Sequence, residues 1–190
     1  MNQLHSSFAN RIWPAARSQA LRNIVMMVLG SIGVAVAAQI NVPMIPVPMT
    51  LQTFAVLAVG MAYGARLGAA TLILYMLEGM AGIPVFAQMK SGLATVAGPS
   101  GGYIVGFILA AGLLGFLVER GWGRGTVRAV TATIICGALI YVPGLVWLHG
   151  FAADWSQTLE WGLTPFILGD LIKAVLAALT IRSVGKSARR

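Results

Sequence analysis

The chain has 190 residues, of which 58% are hydrophobic and only 9% charged, with a mean hydropathy of +0.83. A water-soluble domain carries about 25% charged residues to cover its surface, so a soluble globule is excluded and the composition reads as one membrane-embedded domain. The net charge of +8 does not point to nucleic acid, because the basic residues lie in short segments between apolar runs rather than along one wet face.

A crossing needs about 20 apolar residues to cover roughly 30 Å of hydrocarbon. Residues 1–20 are polar, lack the shape of a signal peptide, and read as an N-terminal tail. The first span is predicted over residues 21–40. It ends at Asn41-Val-Pro-Met-Ile-Pro-Val-Pro-Met-Thr50, where three prolines in six residues forbid a regular helix and favour an extended loop. A second span over residues 50–63 and a third over residues 67–83 are separated by Gly64, Ala65 and Arg66. After a loop rich in small residues comes a fourth span, 102–118, and a basic, glycine-rich link. The fifth span, 129–148, is expected to kink at Pro143-Gly144. A polar link from Asp154 to Trp161 leads to the sixth, 163–181, with Pro165 suited to its start. Residues 182–190 form a basic tail. The predicted fold class is all-α: a compact bundle of six membrane helices.

With six spans, both termini and the links after spans two and four share one side. Those segments hold Arg11, Arg17, Arg22, Arg66, Arg120, Arg124, Arg128, Arg182, Lys186, Arg189 and Arg190, eleven of the thirteen basic residues. The positive-inside rule places that side, with both termini, in the cytoplasm. Small residues four apart mark faces where helices approach closely in lipid. Gly60/Gly64, Gly106/Ala110, Ala111/Gly115 and Ala174/Ala178 read as internal packing, and Gly33/Ala37 on the first helix is the candidate for contact with another subunit.

An ionisable group inside a span is costly and is a functional candidate by default. Asp170 and Lys173 lie three apart on the sixth helix, share a face and can pair. Counted from the span start, Asp170 falls roughly 10 Å deep and Lys173 about one turn further. The pair reads either as a structural pin or as a ligand contact. An isolated buried pair is often no better than apolar packing, which favours the second reading. Glu78 reads as a ligand contact, a partner for Lys90 or a boundary carboxylate; Tyr75 lies one turn away. Gln52, at the outer start of the second helix, offers an amide to a ligand or caps its own helix. Lys90, the only basic residue on the outer loops, is either a solvated charge or an attractor for an anion. Gly98-Pro-Ser-Gly-Gly-Tyr103 places glycine N–H groups at an outward helix start, a setting that suits a carboxylate.

Gly121-Trp-Gly-Arg-Gly125 follows no strand and is not a nucleotide loop, and no P-loop occurs. Cys136 is a lone cysteine in an apolar run, and His5 and His149 are far apart, so neither a disulfide nor a metal site is predicted. No catalytic constellation and no cofactor is expected.

With these residues in view, the chain resembles the BioY family, the biotin-specific substrate-binding (S) components of energy-coupling factor (ECF) transporters, from about Leu29 to Ala174. The resemblance rests on Ala38-Gln-Ile40, Val47-Pro-Met-Thr-Leu-Gln-Thr-Phe54, Gly64-Ala-Arg-Leu-Gly68, Gly82-Ile-Pro-Val-Phe-Ala87, Gly98-Pro-Ser-Gly-Gly-Tyr103 and Gly169-Asp-Leu-Ile-Lys173. It implies biotin held near the outer face of a bacterial cytoplasmic membrane, with Asp170 and Lys173 at the head group and Tyr103 and the first outer loop lining the site. It also implies a membrane coupling subunit docking near Gly33 and Ala37 and two cytoplasmic ATPases; self-association is the alternative partner reading. On that reading Asp170 takes the ureido N–H groups and Lys173 the ureido oxygen. Backbone N–H groups near Gly101 and Gly102, with Lys90, take the carboxylate, and the apolar parts lie against Phe54, Phe86 and Tyr103. The rivals are an S component for another vitamin, an intramembrane enzyme using Asp170 or Glu78, and a scaffold without a ligand.

Overall fold

The computed structural model describes residues 19–187. Arg11, Arg17, Arg189 and Arg190, counted above for topology, lie outside the described residues. Helix α1 spans Gln19–Gln39. The proline-rich segment that follows is a small antiparallel hairpin, β1 (Asn41–Val42) with β2 (Met49–Thr50), pairing Asn41 with Thr50 and Val42 with Met49. Its Ile45–Pro46 bond is cis. Helix α2 (Gln52–Tyr63) and α3 (Ala65–Met80) are joined through Gly64 alone, whose φ of 82° a residue with a side chain rarely adopts. The carboxylate of Glu119 caps this joint, accepting the N–H of Ala65 at 2.8 Å.

The loop after α3 contains a 3₁₀ turn, Ala87–Met89, and the short helix α4, Leu93–Ala97. Helix α5 (Gly101–Glu119) follows, then α6 (Thr126–Leu139) and α7 (Tyr141–His149). The α6/α7 break falls at Ile140, three residues before the expected kink at Pro143. Proline has no N–H for the carbonyl of Leu139 and its ring crowds that carbonyl, so the irregularity appears a turn earlier than the residue causing it. The predicted polar link is in fact helix α8, Trp155–Gly162, whose N-cap Asp154 accepts the N–H of Gln157 at 2.8 Å. A turn through Pro165 bends the chain by 45° into α9, Ile167–Ser187. The last helix therefore begins four residues later than expected, and Pro165 lies in the bend rather than at a helix start.

Among the described residues, α1, α5 and the α6–α7 pair are long and apolar enough to cross a membrane, and the bent α8–α9 pair makes a fourth. Helices α2 and α3, with 12 and 16 residues, reach about 18 and 24 Å at 1.5 Å per residue. They are shorter than the full crossings expected of them. Large apolar side chains cover the outside, among them Leu29, Ile32, Val36, Leu168 and Ile172. A water-facing surface of that kind would aggregate, so the solvent of this bundle is lipid.

Helix α5 forms the centre. A side chain at Gly60 would meet the Ala111 carbonyl at 2.7 Å, and one at Gly106 the Ile140 carbonyl at the same distance. Gly115 lies against the Gly64–Ala65 backbone. Helices here touch backbone to backbone, as small-residue spacing in lipid permits. Ala174, Ala177 and Ala178 on α9 are buried in the same core.

Candidate functional site

One end of the bundle gathers the C-termini of α1, α3 and α7, the N-termini of α2, α5 and α9, and the loops between them. It encloses a cavity of about 300 Å³. Its walls come from the hairpin loop, Gln52 and Thr53 of α2, Tyr75 of α3, Phe86, Ala87 and Lys90, Gly98 to Ser100, Tyr103 and Phe107 of α5, Tyr141 of α7 and Asp170 of α9.

Asp170 is the hub of the polar wall. Lys173 Nζ donates to its Oδ1 at 2.7 Å, while Tyr141 Oη and Thr53 Oγ1 donate to its Oδ2 at 2.7 and 3.2 Å. Because α9 starts late, Asp170 lies in its first turn, about 4.5 Å along the axis rather than 10 Å, and the positive helix end favours its charge. Its side chain remains 14% exposed, so the carboxylate reaches the cavity. Lys173 does not. Its ammonium donates to Asp170 and to the Thr50 carbonyl, each at 2.7 Å. In this structure Lys173 holds Asp170 and ties α9 to β2.

A second chain of bonds fixes the neighbouring wall. Gln52 Nε2 donates to Tyr75 Oη at 2.7 Å, and Tyr75 Oη donates to the Val85 carbonyl at 3.0 Å. Thr50 Oγ1 donates to Gln52 Oε1 and accepts the Gln52 N–H, both at 3.1 Å. Thr50, not Gln52, thus serves the start of α2. Phe86 packs edge-on against Tyr75, with ring centroids 5.5 Å apart. Tyr103 presents its ring to the cavity because its hydroxyl is spent on the Gly162 carbonyl at 2.8 Å. Lys90 lines the cavity from the exposed loop, and among the described residues its ammonium has no hydrogen bond or ion pair.

Gln52, Tyr75, Phe86, Lys90, Tyr103 and Asp170 therefore line one cavity with Lys173 bonded to Asp170, and Phe54, Gly101 and Gly102 are not among the lining residues. Phe54 lies two residues from Gln52, about 200° round the helix, and faces a separate apolar groove of about 430 Å³. Gly101 gives its N–H to the Gly98 carbonyl at 3.0 Å and packs against the Val96 carbonyl. Gly102 packs against Pro143 and Trp147. Both glycines are closely packed, and Pro99 and Ser100 beside them line the cavity. Glu78 is neither a wall residue nor a partner of Lys90; it accepts a hydrogen bond from Ser31, joining α3 to α1. Gly33 and Ala37 border the apolar groove, and a side chain at Gly33 would meet nothing within 4 Å.

Sequence reasoning missed Tyr141 and Thr53, the two hydroxyls on Asp170. Tyr141 was legible in principle, since a phenol inside an apolar run needs a polar partner for its hydroxyl, and few polar groups share its end of the bundle.

A lipid-solvated helical bundle walling a small polar cavity at one end has the fold of an S component. A solved structure of the S-component for biotin from an ECF-type ABC transporter superposes with a TM-score of 0.76 at 23% identity, covering 90% of this chain and 95% of that one. The chain belongs to the BioY family, whose model matches residues 6–190. It is similar to the probable biotin transporter BioY of Pyrococcus horikoshii, 40% identical over 145 residues, covering 76% of this chain and 84% of that protein. It is also similar to the biotin transporter BioY of Thermotoga maritima, 37% identical over 147 residues, covering 77% and 85%. The biotin transporter BioY2 of Lactococcus lactis is 36% identical over 165 residues, covering 84% and 87%.

Proposed function

We propose that this protein captures biotin and supports its uptake across the cytoplasmic membrane, as the substrate-specific component of an ECF-type transporter. The observation that carries the reading is the cavity of about 300 Å³ in which a fixed carboxylate, Asp170, and an unpaired ammonium, Lys90, meet walls of Phe86, Tyr103 and Phe107. Biotin offers the complement: ureido N–H groups for Asp170, a carboxylate for Lys90 and an apolar body for the rings. Gln52 and Tyr75 complete the polar wall.

On this reading the cavity end faces outward and both termini lie in the cytoplasm, six segments cross the membrane as one domain, and α2 and α3 do so where the bilayer is thinned or their flanking loops lengthen the path. The exposed Gly33 and buried Ala37 beside the apolar groove support α1 as the face for a coupling subunit, with two ATPases beneath it, or for a second copy. The chain performs no chemistry on its guest. Titration of the purified protein with biotin, with riboflavin and thiamine as competitors, tests the proposal. Saturable biotin binding that neither competitor displaces supports it; preference for another vitamin, or no ligand-dependent heat, refutes it.

A further inference from the structure

The Ala38-Gln-Ile40 stretch has no role in the site described above, yet Gln39 makes an unusual set of bonds. It is the last residue of α1, and its amide reaches the loop between two cavity-lining residues. Nε2 donates to the Phe86 carbonyl at 3.0 Å and to its own helix at Ala35, at 3.3 Å, while Oε1 accepts the Met89 N–H at 3.0 Å. The bridged residues Gln88 and Met89 have φ of 60° and 56°, the only positive values at non-glycine positions among the described residues. Such conformations persist only where surrounding bonds over-determine them. The loop also closes on itself, with Phe86 N–H donating to the Lys90 carbonyl at 3.1 Å. Its two ends, Phe86 and Lys90, both face the cavity.

We propose that Gln39 is a positioning residue for ligand capture: its amide holds the left-handed Gln88–Met89 turn that presents Lys90 and Phe86 together, and so links α1 to the anion-binding side of the cavity. The inference rests on the assignment of Lys90 to the carboxylate of biotin. Without the latch the turn relaxes toward ordinary φ values and the Lys90 side chain leaves the cavity wall. Because α1 also carries Gly33 and Ala37, a partner that shifts α1 acts on the same turn.

The test is a double-mutant cycle in nanodiscs with Gln39→Met, which keeps the volume and removes both loop bonds, Lys90→Ala, and the pair. Gln39→Met is expected to weaken biotin binding about tenfold, the worth of two lost hydrogen bonds, but to change little in the Lys90→Ala background. Biotin methyl ester, which has no carboxylate, is expected to be nearly indifferent to Gln39→Met. Hydrogen exchange at the Met89 amide is expected to accelerate in the variant. Wild-type biotin affinity in Gln39→Met, or an equal loss with and without Lys90, overturns the proposal. Failure of the unaltered protein to bind biotin sinks the functional reading instead, and unchanged Met89 exchange then overturns the latch on its own.

Discussion

Replacing Asp170 by Asn is the most direct probe of the site. The carboxylate receives three protein donors, one of them an ammonium. An amide has one acceptor oxygen. If that oxygen faces Lys173, the new NH₂ group confronts the hydroxyls of Tyr141 and Thr53, which must turn their protons away; if it faces the hydroxyls, the NH₂ confronts the ammonium. The first arrangement costs less, but it leaves Lys173, whose side chain is 13% exposed, without a counter-charge. Breaking a buried pair by removing one partner costs about 3–5 kcal/mol, and the partial exposure here puts the loss near the lower end. A guest N–H donating to the charged carboxylate is worth about 1.5–3 kcal/mol, so its loss weakens binding roughly 10- to 100-fold. Calorimetric titration with biotin reads the second effect and thermal unfolding the first. The double variant Asp170→Asn with Lys173→Met separates them: it recovers most of the stability, since no charge remains unpaired, and none of the affinity. Wild-type affinity in a folded Asp170→Asn protein would remove the carboxylate from the site and with it the reasoning above.

Tyr141→Phe deletes one of two donors on Asp170 Oδ2 and leaves Thr53 in place; biotin affinity measured by titration is expected to fall about tenfold, a loss near 1.5 kcal/mol. Gly115→Val drives a side chain into the backbone at Gly64 and Ala65, and the yield of folded protein by size-exclusion chromatography is expected to collapse, since backbone cannot give way as a flexible side chain does. For topology, with Cys136 replaced by Ser, a cysteine at exposed Lys90 is expected to react with an impermeant maleimide in intact cells, and one at exposed Arg124 only after lysis; the reverse pattern would invert the proposed orientation.

The parts of the fold that sequence made plain are those set by local chemistry. Apolar runs placed α1, α5 and the α6–α7 pair within a few residues, and the prolines between Asn41 and Thr50 excluded helix there. What escaped depended on contacts between distant segments. The polarity of residues 154–161 concealed α8, although Asp154 is a good N-cap, because an amphipathic helix at a lipid boundary carries no long apolar run. In the site, Asp170 was legible as an ionisable group in a span. That Lys173 also bonds the Thr50 carbonyl, 123 residues away, could not be read, because helical spacing reports only that it shares a face with Asp170. Gly101 and Gly102 carry a second meaning for a related reason. A glycine that frees an N–H and one that admits a neighbouring backbone are the same letter.

The glycine contacts of α5 also restrict how the bundle can change shape. Gly60 and Gly115 seat it on α2 and α3, and Gly102 and Gly106 seat it on the α6–α7 pair, in each case on backbone atoms that have no alternative rotamer. That spine can be tilted as a unit but not sheared. The glycines of α1 and α9 lie against side chains instead, Gly30 against Thr71 and Tyr63 and Gly169 against Met49, and Gly33 meets nothing within 4 Å. A change of shape that opens the cavity is therefore expected to spare this glycine-seated middle.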